Sequence, residues 1–182
     1  DNDGTINGAT TGVSGLAGHD SGEAYSFDGS DDNIDISGVT SGFSDGDPIS
    51  FALWINPDDP TGATIRVSDI GDLQTAREGL SFFTSGGDLG AQIADGSATT
   101  VGKTPVSGGT TYFICLTHDG STATFYIDDA TEVGTATDAY SLVSSARVGS
   151  AGDDSRYWAG DADDPRIYDK ELTSTEVSNL YN

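Results

Sequence analysis

The sequence predicts an all-β chain: an antiparallel two-sheet sandwich closed by one short C-terminal helix. Three observations carry this. Short runs of β-branched and aromatic residues recur at even spacing, separated by Gly, Asp, Ser and Pro. Apolar side chains alternate within the runs, most clearly at 49–56, where Ile49, Phe51, Leu53 and Ile55 share one parity. One helix start stands out. Thr173 and Glu176 form a T-x-x-E capping box, and Leu172 with Val177 occupies the positions of a hydrophobic staple. A βαβ fold would need helices between the strands, and none is signalled. The 182 residues fit one domain, 1–182. A chain of that length buries enough surface to fold without disulfides or metal.

In order, residues 1–22 are rich in Gly, Asn, Ser and Thr and read as loop with one short strand around 5–9. Residues 24–27 alternate, Asp28 and Gly29 turn the chain, and 33–36 alternate again. After a Gly/Asp/Pro loop at 41–48 comes the strand 49–56. Trp54 lies on the parity opposite the apolar row, which predicts a packed position. Pro57 and Pro60 end the strand, since they cannot donate to a ladder. Residues 64–70 form the next strand. The stretch 71–79 is too short and polar for a core helix and reads as a loop. Strands at 80–84, 89–93 and 98–101 follow. Residues 111–117 and 122–127 flank Asp119 and Gly120, the strongest short-range hairpin signal in the chain. Strands at 131–136 and 146–149 lead to the last strand, where Ile167 and Tyr168 supply β propensity, and then to the helix. No repeat of 20–50 residues is visible.

The charge balance is extreme, with 30 acidic and 7 basic residues and a net charge of −23. The acids are dispersed through nearly every turn: Asp31 and Asp32, Asp45 and Asp47, Asp58 and Asp59, Asp128 and Asp129, Asp153 and Asp154. A single block would mark a tail. Dispersal predicts a uniformly acidic surface that repels itself at low salt and stays soluble when salt screens it. Lys103 and Lys170 are the only lysines. Together these predict adaptation to high salt, as in an extreme halophile. Nucleic acid is excluded as a partner because no basic stripe exists to meet phosphates. Anionic membranes are excluded for the same reason. No apolar run approaches a membrane span, so no membrane insertion is expected, and the start at Asp1 is not a signal peptide. No N-glycosylation sequon is present. Cys115 is the one cysteine, so no intrachain disulfide can form; in its apolar run it reads as a small buried hydrophobe.

Four stretches taken together, 24–36, 49–58, 116–129 and 160–176, resemble the laminin-G-like and concanavalin A-like jelly rolls. That family runs from an F-D-G-x-x-D-Y strand, through a strand with an internal Trp before a Pro and a Y-D-G-x-x hairpin, to a G-x-I-D-D-V-R-I-Y strand that enters L-[ST]-x-x-E. The resemblance spans about residues 24–181. Its specificity lies in all four pieces occurring in order. It implies a jelly-roll β-sandwich and, in many members, a structural calcium. The chain departs from the pattern twice. Asp128 and Asp129 replace an aspartate-glycine turn. Pro165 replaces a branched residue, which predicts that the last strand is at an edge or bulged there.

Asp163 and Asp164 alternate, so only one can face a shared site. First and last strands of such sandwiches usually neighbour each other. A hard cation takes six to eight oxygens, so the calcium set suggested is Asp1, Asp3, Asp163 and Asp164. Sugar recognition needs exposed aromatic platforms with polar partners. Tyr157 and Trp158, flanked by Asp154 and Arg156, are the first candidates for ligand contact, although an aromatic in a last hairpin also packs readily. Gln74 and Arg77, beside Glu78, are the second. A glycosidase would need paired carboxylates on one strand face; Glu23, Glu78 and Glu132 are isolated, and no E-x-D-x-E run occurs. His19 and His118 read as solvated, and no G-x-S-x-G or H-E-x-x-H is present.

The expectation is therefore a non-enzymatic surface module, extracellular or on a cell or virion surface, that binds a glycan or glycoprotein in adhesion. The alternative is a structural or decoration module that oligomerises within a surface assembly and has no sugar ligand. A glycosidase relic comes third.

Overall fold

The computed structural model describes residues 4–16 and 22–182. In chain order the strands are β1 (Thr5–Asn7), β2 (Thr10–Ser14), β3 (Glu23–Asp28), β4 (Asn33–Asp35), β5 (Ile49–Pro57), β6 (Ile65–Asp72), β7 (Glu78–Ser85), β8 (Asp88–Asp95), β9 (Ala98–Pro105), β10 (Tyr112–His118), β11 (Thr122–Ile127), β12 (Thr131–Thr137), β13 (Ala146–Val148) and β14 (Ala159–Tyr168). One helix, α1 (Ser174–Tyr181), follows, and a 3₁₀ turn spans Ser37–Gly42. The strands form two seven-stranded antiparallel sheets, a jelly-roll sandwich. The first sheet is ordered β1-β4-β13-β6-β7-β8-β9 and the second β12-β11-β10-β5-β14-β3-β2.

The parity of β5 sets the layers. Ile49, Phe51, Leu53 and Ile55 point into the core, where they meet Val67, Ile70, Leu80 and Phe82 of the first sheet. Phe51 and Phe82 touch across the sandwich with ring centroids 5.5 Å apart. Trp54 points the other way, as its parity predicts, and belongs to a separate cluster with Ala52, Phe113, Cys115, Leu172 and Val177. There α1 covers the second sheet, and Tyr181 stacks on Trp54 at 5.4 Å. The helix starts where its capping box places it: Thr173 N donates to Glu176 Oε2 at 2.9 Å and Glu176 N donates to Thr173 Oγ1 at 3.3 Å. The Lys170 ammonium, with Thr173, holds Glu176 down to about 2. Cys115 is buried, and that burial pushes its thiol up to about 12, as suits an inert core side chain.

The structure corrects or refines four of these expectations. The strand expected around 5–9 is β1, and a second strand, β2, follows it in the other sheet. The loop expected over 71–79 is shorter, 73–77, because β6 and β7 continue into its two ends. Asp72 accepts the Gln74 and Thr75 N–H groups at 2.9 Å and closes a tight turn, with Leu73 buried beneath it. His118 is fully buried rather than solvated. Its Nδ1 accepts the Gly120 N–H at 3.0 Å, its Nε2 lies 2.9 Å from Asp138 O, and its ring meets Tyr140 edge-on. Of the two alternatives for the last strand, edge or bulge, it takes the bulge: β14 lies between β5 and β3. Pro165 is accommodated by a bulge between Asp163 and Arg166, which opposes Pro165 to no partner. His19 lies outside the described residues.

Candidate functional site

The outward rows of β6, β7 and β8 are polar. Arg66 pairs with Phe83, Asp69 with Ser81, and Ser81 with Gln92, all on the face opposite the core. Side chains on that face of a two-sheet sandwich are normally solvated. Here Arg66 is only 4% exposed and Asp69 0%. The reason is a cover formed by the chain from Gly149 to Trp158 together with the turn after Asp72. Gly152 N donates to Asp69 Oδ2 at 3.1 Å, and Arg66 N donates to Arg156 O at 3.0 Å. The Ser81 hydroxyl and the Leu73 N–H also face the Asp69 carboxylate. Asp69 thus ties both covering segments to the sheet.

Arg66 lies across the floor of the site. Its Nη1 donates to Gln92 Oε1 at 2.8 Å, and its guanidinium carbon sits 5.7 Å from the Phe83 ring centroid. Lys103 Nζ lies 5.2 Å from the same centroid. Phe83 reaches that position across Gly90, where a Cβ would come within 2.5 Å of the ring. Arg66 Nε and Asp69 Oδ1 stand 3.9 Å apart, and both are buried without a hydrogen-bond partner. Burial pushes the Asp69 carboxyl up to about 6, against the pull of Arg66. Burial likewise lowers Arg66, with Asp69 opposing and the nearby Arg156 and Arg77 adding to the depression.

Arg66 therefore feels both regions singled out in the sequence. Arg77 and Gln74 lie in the β6–β7 turn, and Asp154, Arg156 and Tyr157 lie in the covering segment; the fold makes them neighbours. Arg77, Asp154 and Arg156 are exposed, and each holds a left-handed backbone, with φ of 61°, 55° and 51°. Asp154 Oδ1 accepts Arg147 Nε at 3.0 Å. Arg147 also pairs with Asp35 at 2.8 Å. Tyr157 is half-buried; desolvation and the adjacent Asp154, Asp31 and Asp153 push its phenol up.

Trp158 is corrected. It is 0% exposed and packs on Phe27 with centroids 5.9 Å apart. Its backbone N–H donates to Gly149 O at 2.8 Å, while Tyr157 beside it is only half-buried. Gly160, at φ 145°, leaves room for its ring, since a Cβ there would come within 2.8 Å of Trp158 Cζ2.

Of the residues suggested for calcium, Asp1 and Asp3 lie outside the described residues. Asp163 sits opposite Trp54, and its Oδ2 accepts the Leu16 N–H at 2.8 Å. Asp164 accepts Arg166 Nε at 2.8 Å. Each carboxylate already has a protein partner. A different set lies in the β3–β4 turn: Asp28, Asp31 and Asp32 each offer an oxygen, all within 4.8 Å of one another, and could hold a metal ion. Asp32 Oδ2 also accepts the Asp28 N–H at 2.9 Å, so it shapes the turn as well. An all-carboxylate donor set suits a hard cation.

An apolar cleft of about 590 Å³ opens elsewhere, between Ile6, Tyr25, Ile34, Phe43 and Ile167; none of the suggested ligand residues lines it.

Sequence reading missed Arg66, Asp69 and Gln92. The available signal was an Arg and an Asp three residues apart inside the otherwise apolar strand 64–70.

Left-handed backbone at a non-Gly residue costs about 1–2 kcal/mol. Arg77→Gly removes that cost and adds a comparable amount of unfolded-chain entropy. Its unfolding free energy in denaturant is therefore expected to stay within about 1 kcal/mol of wild type.

A laminin G-type family model, described as the concanavalin A-like lectin/glucanases superfamily, matches residues 28–178. No curated protein sequence matches the chain. Among solved structures, it is similar to domain 4 of AbnA, a GH43 extracellular arabinanase from Geobacillus stearothermophilus solved with arabinotriose. That similarity has a TM-score of 0.73 at 18% identity and covers 98% of this chain and 88% of that one. The botulinum neurotoxin type G receptor binding domain gives a TM-score of 0.72 at 14% identity, covering 99% of this chain but only 46% of that one. A heptameric SAP-like pentraxin from Limulus polyphemus gives a TM-score of 0.56 at 16% identity, over 76% and 71% of the two chains.

Proposed function

The chain belongs to the concanavalin A-like lectin/glucanases superfamily, and from that premise we propose that it is a non-catalytic recognition module that binds a glycan or glycoprotein outside the cell, on a cell or virion surface. The observation that carries this is the convergence of the 72–77 turn and the 149–158 segment on the buried Arg66–Asp69 pair. Three exposed residues there hold strained backbone, a pattern that marks ligand sites more often than inert loops. Asp69, with no exposed surface, cannot itself reach a glycosidic bond. The arabinotriose seen on the arabinanase domain is consistent with a sugar ligand for this fold. Among the described residues no helix is long and apolar enough to cross a membrane.

The test is a glycan and glycoprotein array probed in multimolar salt. Specific binding is the expected result. Silence across the array, with a stable oligomer by light scattering, would replace recognition by the assembly role.

Two further properties belong to this reading. The first is salt adaptation, supported by the net charge of −23. Dilution below physiological salt is expected to unfold the chain, followed by far-UV circular dichroism, because unscreened repulsion then acts over roughly 10 Å or more. A chain that stays folded there is not salt-dependent. The second is a structural calcium, for which Asp28, Asp31 and Asp32 supply part of the oxygen set. Bound calcium would hold the β3–β4 turn and offset its three negative charges. A chelator is expected to lower the melting temperature at constant salt; an unchanged melt means that no structural ion is held.

A further inference from the structure

We propose that the apolar cleft beside β1 is a docking site for a partner polypeptide. An extended segment of the partner adds as a strand to the free edge of β1, sets an apolar side chain into the cleft and brings a basic residue to Asp169. The proposal is independent of the sugar reading, since none of the residues suggested for the sugar lines this cleft.

Ile6 stands opposite Ile34 in the β1–β4 ladder, and Ile34 belongs to the core. Directly opposed residues share a sheet face, so Ile6 faces the interior. It is nevertheless 43% exposed. Tyr25, Ile36, Val39, Phe43 and Ile167 pack against the core yet are only half-buried, and all of them line the same cleft of about 590 Å³. The two sheets part here and leave core-facing side chains uncovered. Protein interiors are close-packed, and apolar surface left in water is unfavourable. An opening of this size falls within the range of ligand-sized pockets, about 300–1,000 Å³, and a contiguous apolar wall of this kind marks an interaction site.

The last strand shapes one wall of the opening. Its register against β5 shifts between Asp163 and Arg166, and Asp164 there holds φ 50°. Pro165 lines the cleft and has no N–H to offer a ladder. Bulges of this kind are common beside functional sites, where they re-aim a strand's side chains. The opposite wall includes β1, the outermost strand of the first sheet. Only β4 pairs with it, and Thr5, Ile6 and Asn7 are all exposed. Its outer backbone groups are a template for one more strand. Strand addition, with alternate side chains entering pockets, is a recurring mode of peptide recognition.

The sequence supplies no occupant of its own. Among the described residues Ile6 is the one exposed large apolar side chain, so a second copy has only the same cleft to offer. Residues 1–3 and 17–21, outside the described set, contain no large apolar side chain. The apolar group therefore comes from a different molecule, and charge selects its kind. Asp169 is the one charged residue that lines the cleft, and it is exposed. Among the described residues no ion pair engages it, because the basic residues nearest in sequence, Arg166 and Lys170, are held by Asp164 and Glu176. A free carboxylate in a chain of net charge −23 favours a cationic partner at contact and at long range. The unpaired edge of β1 selects a polypeptide over a small apolar amine, which would fill the cleft and leave the edge unused.

The test is calorimetric titration, in salt that keeps the chain folded, with one synthetic peptide and its controls. The probe is Lys-Thr-Val-Thr-Phe-Thr-Lys, acetylated and amidated, in which Val and Phe share one strand face. It is expected to bind about tenfold more tightly than three controls: the same composition with the alternation broken, serine in place of Val and Phe, and glutamate in place of lysine. N-methylation of alternate backbone nitrogens is expected to abolish binding in one frame and spare it in the other, as an edge ladder requires. Ile6→Thr keeps the β-branch and makes the wall polar; it is expected to weaken binding about fivefold. Asp169→Asn is expected to weaken it about two- to fivefold, the worth of an exposed ion pair, while Asp58→Asn, with the same change in net charge, leaves it intact. Thermal melts confirm that each variant is folded. Equal binding of the alternating and broken peptides, or binding that Ile6→Thr leaves unchanged, would overturn the proposal. N-methylation without effect in either frame would also overturn it, and hexylamine bound as tightly as the peptide would make the cleft a small-molecule site instead. No binding of the probe would remove the docking site and leave the sugar reading untouched.

Discussion

Asp69→Ala is expected to destabilise the fold by about 3–5 kcal/mol, as removal of one partner from a buried ion pair generally does. The substitution leaves the Arg66 charge buried with no counter-ion, and it strands the Gly152 N–H that the carboxylate accepts at 3.1 Å. Both covering segments lose their shared anchor, so the loss of stability comes together with loosening of the candidate site. Chemical denaturation measures the first, and proteolysis within 149–158 the second. Asp69→Asn preserves the shape and is expected to fall between wild type and alanine. It also isolates the pH dependence. The folded pKa of Asp69 is raised above its unfolded value by burial, so the folded chain binds the extra proton in the window between them. Stability through this group is therefore highest below about 4 and falls as pH rises through about 6. Wild type is expected to gain on the asparagine variant when the pH is lowered from 7 to 5. A gap that narrows instead would mean that attraction to Arg66 outweighs desolvation.

Trp158→Ala is expected to cost about 3–5 kcal/mol. The ring is fully buried against Phe27, and its removal leaves a cavity that the two sheets cannot close. Trp158→Phe should cost clearly less, because the indole Nε1 it deletes has no hydrogen-bond partner. If sugar binding fell in the phenylalanine variant while stability held, Trp158 would have to reach the ligand after all.

The architecture was legible because β5, the Asp119–Gly120 hairpin and the Thr173–Glu176 capping box are local signals that agree with the global fold. The alternation that put Ile49 and Phe51 on one side of β5 and Trp54 on the other survives intact. The same parity rule, applied to Tyr157 and Trp158, would have sent Trp158 inward, but the covering segment is irregular up to Ala159 and gives no strand frame to count from. His118 looked solvated because it ends a strand beside a turn; Tyr140, from 22 residues on, is what buries it. The Arg66–Asp69 pair was invisible for a related reason. Its burial depends on segments that return to the sheet more than 80 residues later, and no local pattern encodes that return. The two candidate ligand regions were visible singly, while their adjacency was not.

The place of β14 between β5 and β3 has a bearing on how the chain comes to be folded at all. In the second sheet, β5 is flanked on one side by β10 and on the other by β14, whose residues are about a hundred positions further along the chain. While the protein is being synthesised, one full edge of β5 waits unpaired until β14 has been made. The second sheet can close only once β14 has emerged, and closure over such a separation is slow. For that interval β5 offers an apolar, hydrogen-bond-ready edge of the kind that seeds aggregation. A nascent chain as acidic as this one repels its own copies through that window, so the charge that burdens the finished fold also guards its assembly.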